Sequence, residues 1–389
     1  MREITALLSH QGAAVLHRDE QAFTAPLAGG RTSAAFRDRQ QATFANLVDV
    51  PLASWSYSVA ARVDDRSAER VASKRYRTAA VIVRISLRYA LRGADRRPSA
   101  HDLWWTFVRS GGKVVVAGDT DLRADGGRSW RGPWDFGPVV VVRAALTLVL
   151  GHPGNRATLR SIADTVASAI PVVTGVWGRD WARAVAVVVP ASSDELAAAA
   201  GQTSTVTADV AAVAVADPRD EVTGTVSGQR LIVNPAALAR LSVVGRGIVV
   251  RHEVTHIAAA TVTSERSPRW LVEGFADYVG NLGSGQPVTQ AATELRADVG
   301  HGRVPTALPS EADFDNPRTA AQAYQGAWLA CRLIAARAGR PGLLRFYRLV
   351  AAAPSGADDT IAQALHVVLG ETRARFTALW RAYLSGLLR

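Results

Sequence analysis

The chain has 389 residues, which is too long for one ordinary hydrophobic core and predicts two domains. Its 48% hydrophobic and 20% charged residues describe a globular protein and exclude global disorder. The formal net charge of +11 comes mostly from arginines, since lysine occurs only at Lys74 and Lys113. Because these arginines are scattered rather than clustered, we expect no nucleic-acid partner.

The sequence also predicts a chain without a disulfide, a secretory signal or a membrane span. The single cysteine, Cys331, excludes an intrachain disulfide, and its apolar helical surroundings favour a buried thiol. Residues 1–23 carry charges throughout and lack the apolar centre of a secretory signal. The longest apolar run, 138–150, is shorter than the ~20 residues needed to cross a bilayer.

Residues 1–137 are predicted to form an α+β domain. Helical patterns cover about 3–23 and 33–50. Strand patterns follow at 54–62, 77–91, 103–108 and 113–117, the last two joined as a hairpin. This order of helices and antiparallel strands resembles the cone-shaped nuclear transport factor 2-like fold. That fold serves both enzymes and scaffolds, so the resemblance implies no activity.

Residues 138–389 are predicted to form a second domain with a small mixed sheet and a helical C-terminal half. Strands are expected at 139–150, 184–189, 210–216 and 229–234, with helices after Asn155 and Ser192. From residue 242 to residue 388 the pattern is almost wholly helical. The fold class expected for the whole chain is therefore α+β.

The segment Arg251–Ile257 reads RHEVTHI and contains the HExxH spacing on a helical pattern that Ser242 can cap. Residues four apart share a helix face, so His252 and His256 can direct two imidazoles at one metal ion. Glu253 is rotated by about 100° and would touch a metal-bound water instead of the metal. Taken alone, the segment is also compatible with an exposed helix carrying two unrelated histidines.

A catalytic zinc site needs a third protein ligand, and a downstream helix provides one. Residues 268–280 read PRWLVEGFADYVG, with Ser267 as the expected N-cap, Pro268 in the first turn and Gly280 at the end. Glu273 lies on this helix and is the predicted third ligand. Asp277, one turn later on the same face, can accept a hydrogen bond from a zinc-bound histidine. The apolar surroundings favour this role over a solvated acid.

HEVTH followed by WLVEGFADYV resembles the gluzincins of the peptidase MA superfamily, which include thermolysin-like and aminopeptidase-N-like enzymes. The resemblance covers about residues 139–388, with specific motifs only in 252–277. It implies one Zn²⁺ ion, peptide or protein substrates, and hydrolysis by a zinc-bound water. The implied roles are metal ligation by His252, His256 and Glu273, general-base catalysis by Glu253, and acceptance by Asp277 of a hydrogen bond from a ligand histidine.

The resemblance has limits in substrate preference and localisation. Aminopeptidases of this group bind a free amino terminus through a Gly-x-Met-Glu-Asn strand, whereas the only methionine here is Met1. Aminopeptidase action is therefore not expected. Members are often exported or membrane-tethered, which would fit this chain if an N-terminal segment preceded it. Localisation and oligomeric state stay open.

Two further residues are expected to contact substrate. Tyr324 follows a predicted helix start and is the first candidate to donate to the tetrahedral oxyanion, with Tyr278 and His301 as weaker alternatives. Plain helix packing is the other interpretation of Tyr324. Asn234 ends the strand at 229–234, which is predicted to be an edge strand that pairs with an extended peptide.

The second functional hypothesis is a zinc-binding but non-proteolytic module that binds a ligand or a partner. A structural zinc site usually has four protein ligands, often cysteines, and has no use for a general base. Glu253 and the remote position of Cys331 therefore favour the peptidase.

Overall fold

The computed structural model describes residues 1–201, 209–220, 223–351 and 357–389. Its contacts divide the chain into two compact units. Unit 1 comprises Met1–Ala163, Ala184–Asp220 and Val226–Pro235, and unit 2 comprises Asp164–Arg183, Glu221–Thr225 and Ala236–Arg389. The chain contains both helices and strands, as predicted, and every strand of the described residues belongs to unit 1.

The elements have the following bounds. The helices are α1 (Arg2–His17), α2 (Glu20–Thr24), α3 (Ala34–Asn46), α4 (Arg66–Tyr76), α5 (Arg156–Trp177), α6 (Ser193–Ala199), α7 (Pro235–Ala239), α8 (Val243–Ala259), α9 (Arg269–Asn281), α10 (Val288–Ala291), α11 (Thr293–Gly300), α12 (Glu311–Asp315), α13 (Ala320–Ala351), α14 (Ala357–Leu369) and α15 (Arg373–Leu388). The strands are β1 (Leu52–Arg62), β2 (Ala80–Leu91), β3 (Ser99–Ser110), β4 (Lys113–Gly118), β5 (Val140–Ala144), β6 (Thr147–Gly151), β7 (Val185–Val188), β8 (Ala212–Val215) and β9 (Arg230–Val233).

The first sheet of unit 1 is antiparallel and has its four strands in the order β1-β2-β3-β4. The predicted hairpin between β3 and β4 is confirmed, and its turn is formed by Gly111 and Gly112. Both have positive φ, at 57° and 79°, which glycine adopts without strain. One core cluster joins the helices to the sheet, with the Phe36 ring of α3 lying 6.2 Å from the Trp105 ring of β3.

Two predicted elements of unit 1 have different bounds, and one helix of unit 1 was not predicted. The helix expected over 3–23 is two helices, because Arg18 closes α1 at φ 59° and Asp19 caps α2. The helix α4 precedes β2 and was missed because it buries only two alanines and shows no long apolar stripe. The strand expected over 139–150 is a hairpin of β5 and β6, with Leu146 at φ 56° in its turn.

The second sheet of unit 1 has the strand order β5-β6-β7-β9-β8. β6, β7 and β9 are parallel, while β5 and β8 pair antiparallel at the two edges. The predicted edge position of the strand at 229–234 is therefore wrong. β9 lies between β7 and β8, and the backbone N–H of Asn234 donates to the Ala211 carbonyl at 3.0 Å.

Buried polar contacts join the two sheets within unit 1. The Arg230 guanidinium on β9 donates to both oxygens of Asp95 at 2.6 and 2.7 Å, and these side chains are only 7% and 6% exposed. Asp217 accepts the backbone N–H of Ala100 at 3.0 Å. Breaking a buried ion pair by removing one partner costs about 3–5 kcal/mol.

The predicted domains, 1–137 and 138–389, differ from the compact units in one respect. The second sheet was predicted in the domain 138–389, whereas its strands belong to unit 1.

Unit 2 is organised around α9, which packs against both α8 and α13. Two glycines allow this close approach. A Cβ at Gly280 would lie 2.9 Å from the Ile248 carbonyl oxygen of α8, and one at Gly274 would clash with the Ala327 carbonyl of α13. The Phe275 ring adds an edge contact with Trp177 at 5.8 Å.

The predicted cap of α8 is confirmed, whereas the predicted ends of α9 are wrong. Ser242 caps α8 by accepting the backbone N–H of Gly245 at 3.0 Å. α9 has Pro268 at its N-cap position without a side-chain cap, and the Ser267 hydroxyl instead accepts the N–H of Ser264. α9 also continues past Gly280 to Asn281. Gly280 does not end the helix but lies where α9 packs closely against Ile248 of α8.

Among the described residues, α5 is the one helix long and apolar enough to cross a membrane by length and composition. In its most apolar 18-residue window, 44% is buried inside the molecule. Core helices of globular proteins can have the same length and apolar composition, so this feature is weak support for a membrane span.

The His152 side chain of unit 1 is placed between two acceptors. Its Nδ1 lies 2.9 Å from the Pro138 carbonyl oxygen, and its Nε2 lies 2.9 Å from Oε1 of Glu195. Both nitrogens must carry protons to satisfy both contacts, so the geometry favours the imidazolium. The hydrogen bond to Glu195, opposed by burial, raises the pKa of His152 above 6.5.

We expect stability to depend on pH through His152. Because its pKa is raised in the folded state, its contribution is complete below the ordinary pKa of 6.5 and is lost as pH rises through the folded pKa. The free energy of unfolding of the wild type should exceed that of His152→Gln at low pH, and the difference should shrink as pH rises. Exposed His17→Gln is the control. A difference that is constant or grows with pH would contradict the assignment.

Candidate metal centre

The helix α8 carries the two histidines of the motif on one face, as their spacing predicts. The Nε2 atoms of His252 and His256 lie 2.9 Å apart. Their side chains are 14% and 23% exposed, so both imidazoles are largely covered yet reachable. Two ring nitrogens pointing at each other leave a shared position between them and the neighbouring helix.

The carboxylate of Glu273 on α9 completes this cluster. Its Oε2 lies 3.3 Å from Nε2 of His252 and 3.6 Å from Nε2 of His256. Within the described ranges, these three residues form the one group of histidine, cysteine and acidic side chains whose ligand atoms converge for a metal. The sequence predicted all three as ligands from two local helix patterns, in which Glu273 follows His252 by 21 positions and His256 by 17. The fold brings their side chains together.

The three ligand atoms fit a zinc ion. A tetrahedral zinc with bonds of about 2.0–2.2 Å holds neighbouring ligand atoms about 3.3–3.5 Å apart, and the observed separations of 2.9, 3.3 and 3.6 Å bracket that value. Two imidazoles and one carboxylate are a ligand set that zinc commonly uses when a fourth position is left for water.

Asp277 takes the position beside His252 that the helix spacing predicts. Its Oδ1 lies 2.7 Å from Nδ1 of His252. Since a carboxylate only accepts, Nδ1 carries the proton and Nε2 is free to bind a metal. Burial of His252 disfavours its charged form, but Asp277 and then Glu273 outweigh burial and raise the pKa of His252 well above 6.5. The site therefore attracts positive charge.

Glu273 is held in its ionised form. Burial alone would raise the pKa of this carboxyl group, but the neighbouring imidazoles of His252 and His256 hold it well below its ordinary value of 4.5. An ionised carboxylate is the form that binds a metal. The electrostatics of Glu273 are therefore consistent with its predicted role as a ligand.

Glu253 lies next to His252 on α8 and is half-buried. Its charge adds to the causes that raise the pKa of His252. Glu253 does not belong to the three-residue ligand cluster. Its role as the base stays a prediction.

Tyr324 on α13 lies close enough to the cluster for the charges of Glu273 and His252 to affect its pKa. Burial is the main cause that raises this pKa above 10.0, so the phenol stays protonated at neutral pH. The Tyr324 ring contacts Phe314 edge-on at 5.1 Å. Packing and proton donation are thus compatible in the same side chain.

Arg269 is a residue that the sequence analysis missed. It begins α9 four residues before Glu273, and its guanidinium lies close enough to Tyr324 to counter the rise of the phenol pKa. Its Nη1 also donates to Asp315 at 2.7 Å. The four-residue spacing from Glu273 was the available signal, but the partner on α13 is 55 residues away in the chain and could not be inferred.

The remaining predicted residues lie outside this cluster. Asn234 belongs to unit 1, whereas the metal ligands belong to unit 2, so its contact with substrate stays a prediction. Tyr278 follows Asp277 and is half-buried. His301 is exposed, and its Nδ1 contacts the Ala297 carbonyl of its own segment at 2.6 Å.

No protein-family model and no curated protein matches the chain. Among solved structures, it is similar to a variant of a two-domain M1 zinc metallopeptidase bound to L-arginine, with 13% identity and a TM-score of 0.37. A variant of the M1 zinc metallopeptidase from Deinococcus radiodurans gives 15% identity and a TM-score of 0.38. Both matches cover 72% of this chain and 59% of the other. At such low identity and TM-score, the proposals below rest on the residues of this chain.

Asp277→Ala should weaken zinc binding by about 10–100-fold, because the acceptor that orients His252 is lost. The measurement is a competition titration with a chromogenic zinc chelator, with circular dichroism as the test of folding. Exposed Glu265→Ala removes the same charge without touching the cluster and should bind zinc like the wild type. An unchanged zinc affinity in Asp277→Ala would remove Asp277 from the site.

Proposed function

We propose that this chain is a zinc-dependent peptidase that hydrolyses peptide bonds in peptide or protein substrates. The observation that carries this proposal is the convergence of Nε2 of His252, Nε2 of His256 and Oε2 of Glu273 within 3.6 Å of one another. Three protein ligands leave a fourth position for water or substrate, as in catalytic rather than structural zinc sites. Glu253 lies beside this group and is not needed as a ligand.

Each residue has a separate task in the proposed reaction. Zinc, when bound, supplies Lewis acidity that polarises the scissile carbonyl and makes water nucleophilic near neutral pH. Glu253 accepts a proton from the attacking water and then donates it to the nitrogen of the leaving amine. The C–N bond breaks in the second transfer, so the products are a carboxylic acid and an amine. Asp277 keeps the proton of His252 on Nδ1 throughout.

Tyr324 is the proposed donor to the oxyanion that forms on the scissile carbonyl. Its raised pKa keeps the O–H proton on the phenol, and the Arg269 guanidinium acts on the same group. A preorganised donor stabilises charge only where it develops in the transition state. The neighbouring positive charge of Arg269 would strengthen this stabilisation.

Glu253→Gln should lower kcat by about 10²–10⁴-fold while zinc stays bound, because the amide cannot accept the proton of water. Elemental analysis measures zinc, and cleavage of the unstructured protein casein measures activity. Glu273→Ala should lose zinc, and Glu265→Gln should match the wild type in both assays. If wild type binds one zinc ion and cleaves no substrate, the non-proteolytic binding module replaces the peptidase. Full activity in Glu253→Gln would exclude it as the base.

Tyr324→Phe should reduce kcat by about 10²–10³-fold with zinc retained, as expected when one oxyanion donor is lost. The Michaelis constant should change much less, since the donor acts mainly in the transition state. Tyr278→Phe is the matched control and should keep wild-type turnover. The assignment fails if Tyr324→Phe turns over at the wild-type rate, and a loss in Tyr278→Phe alone would move the role there.

A further inference from the structure

Unit 1 contains a cavity of about 640 Å³ that shares no lining residue with the metal cluster. All its lining residues belong to unit 1, from α3, the first sheet, the segment between β4 and β5, and the region of α6. The volume is within the range of about 300–1,000 Å³ that is typical of small-molecule sites. The peptidase chemistry proposed above makes no use of this space.

The inner wall of the cavity is aromatic. Trp55, Tyr57, Trp105 and Trp134 all line it, and none is more than 9% exposed. The Trp55 and Trp134 rings lie 5.4 Å apart, and the Tyr57 and Trp105 rings lie 5.2 Å apart. Such rings offer flat apolar surfaces at fixed angles, which suit a ligand with a flat aromatic body.

The outer wall of the cavity carries four exposed arginines, Arg39, Arg123, Arg128 and Arg131. Two are engaged: Arg39 donates to Asp119 at 2.5 Å, and Arg131 donates to the Asp135 carbonyl oxygen at 2.8 Å. Arg123 and Arg128 form no ion pair within the part of the chain that the structure describes. Two guanidinium groups are therefore available to an anion at this wall.

The acids of the lining do not neutralise these two arginines. Asp119 is paired with Arg39. Asp135 accepts the Thr43 hydroxyl at 2.6 Å and the Gly132 N–H at 2.8 Å, so its oxygens already have donors. Asp194 is the remaining acid of the lining and is exposed. Two arginines against one acid leave an excess positive charge for a ligand.

We propose that this cavity binds a small aromatic carboxylate. The ring system lies against the aromatic wall, and the carboxylate pairs with Arg123 and Arg128, whose planar donors match its two oxygens. A neutral aromatic compound would use only the first of these features. An organic cation would meet the unpaired arginines and be repelled.

The experiment is calorimetric titration of the full zinc-loaded chain with 2-naphthoate, using 2-naphthamide and 2-naphthylmethylammonium as the matched neutral and cationic probes. We expect 2-naphthoate to bind at least about tenfold more tightly than either, since charge-assisted bonds to arginine are added. Equal or tighter binding of the amide or the cation overturns the proposal. So does the absence of 2-naphthoate binding to the wild type.

Two variant pairs locate the bound probe. Replacing both Arg123 and Arg128 by Gln should weaken 2-naphthoate about tenfold or more and leave 2-naphthamide unchanged, whereas exposed Arg70→Gln on α4 should change neither. Ala42→Trp places a large ring on the cavity wall and should abolish binding of both probes. Ala45→Trp, on the same helix α3 but outside the lining, should bind like the wild type.

Unchanged 2-naphthoate affinity in the double arginine variant overturns the proposal, as does equal binding by Ala42→Trp and Ala45→Trp. Near-ultraviolet circular dichroism shows whether each variant is folded. If Ala42→Trp does not fold, the arginine variants decide the outcome. Casein cleavage is a separate readout, so failure here leaves the proposed peptidase function untouched.

Discussion

Unit 2 depends on one constraint: three electron-pair donors from two helices must face a single point. Two imidazole nitrogens and a carboxylate oxygen within 3.6 Å repel one another unless a proton or a metal cation lies between them. α8 and α9 can approach this closely because Gly280 has no side chain at the Ile248 carbonyl. Gly274 does the same toward α13. The small residues of α9 are therefore as necessary to the site as its ligand.

Electrostatic differences separate the roles of groups that are chemically similar. Glu273 is held ionised by the two histidines, while burial keeps the Tyr324 phenol protonated. Asp277 sets the tautomer of His252, whereas Glu253 stays outside the ligand set. Neighbouring groups with pKa values displaced in different directions are typical of sites that perform acid–base chemistry.

In unit 1, the buried charged side chains form structural ion pairs, whereas exposed arginines at the cavity are available to a ligand. The Asp95–Arg230 pair joins the two sheets and has no access to a ligand, since both side chains are almost fully covered. At the cavity, the aromatic rings are buried and the unpaired arginines are exposed. A peptidase centre and an aromatic-anion site on separate sets of residues would allow a small ligand to bind without occupying the metal.

The sequence by itself predicted that His252 and His256 share one helix face and that Glu273 and Asp277 share another, because residues four apart on a helix lie on the same side whatever the rest of the fold does. It also predicted the β3–β4 hairpin from two adjacent glycines. Only the tertiary structure decided that β8 rather than β9 is the edge strand, that Arg269 affects the pKa of Tyr324, and that Asp95 pairs with Arg230 across 135 positions. Such contacts depend on strand order and helix packing, and no local periodicity encodes them.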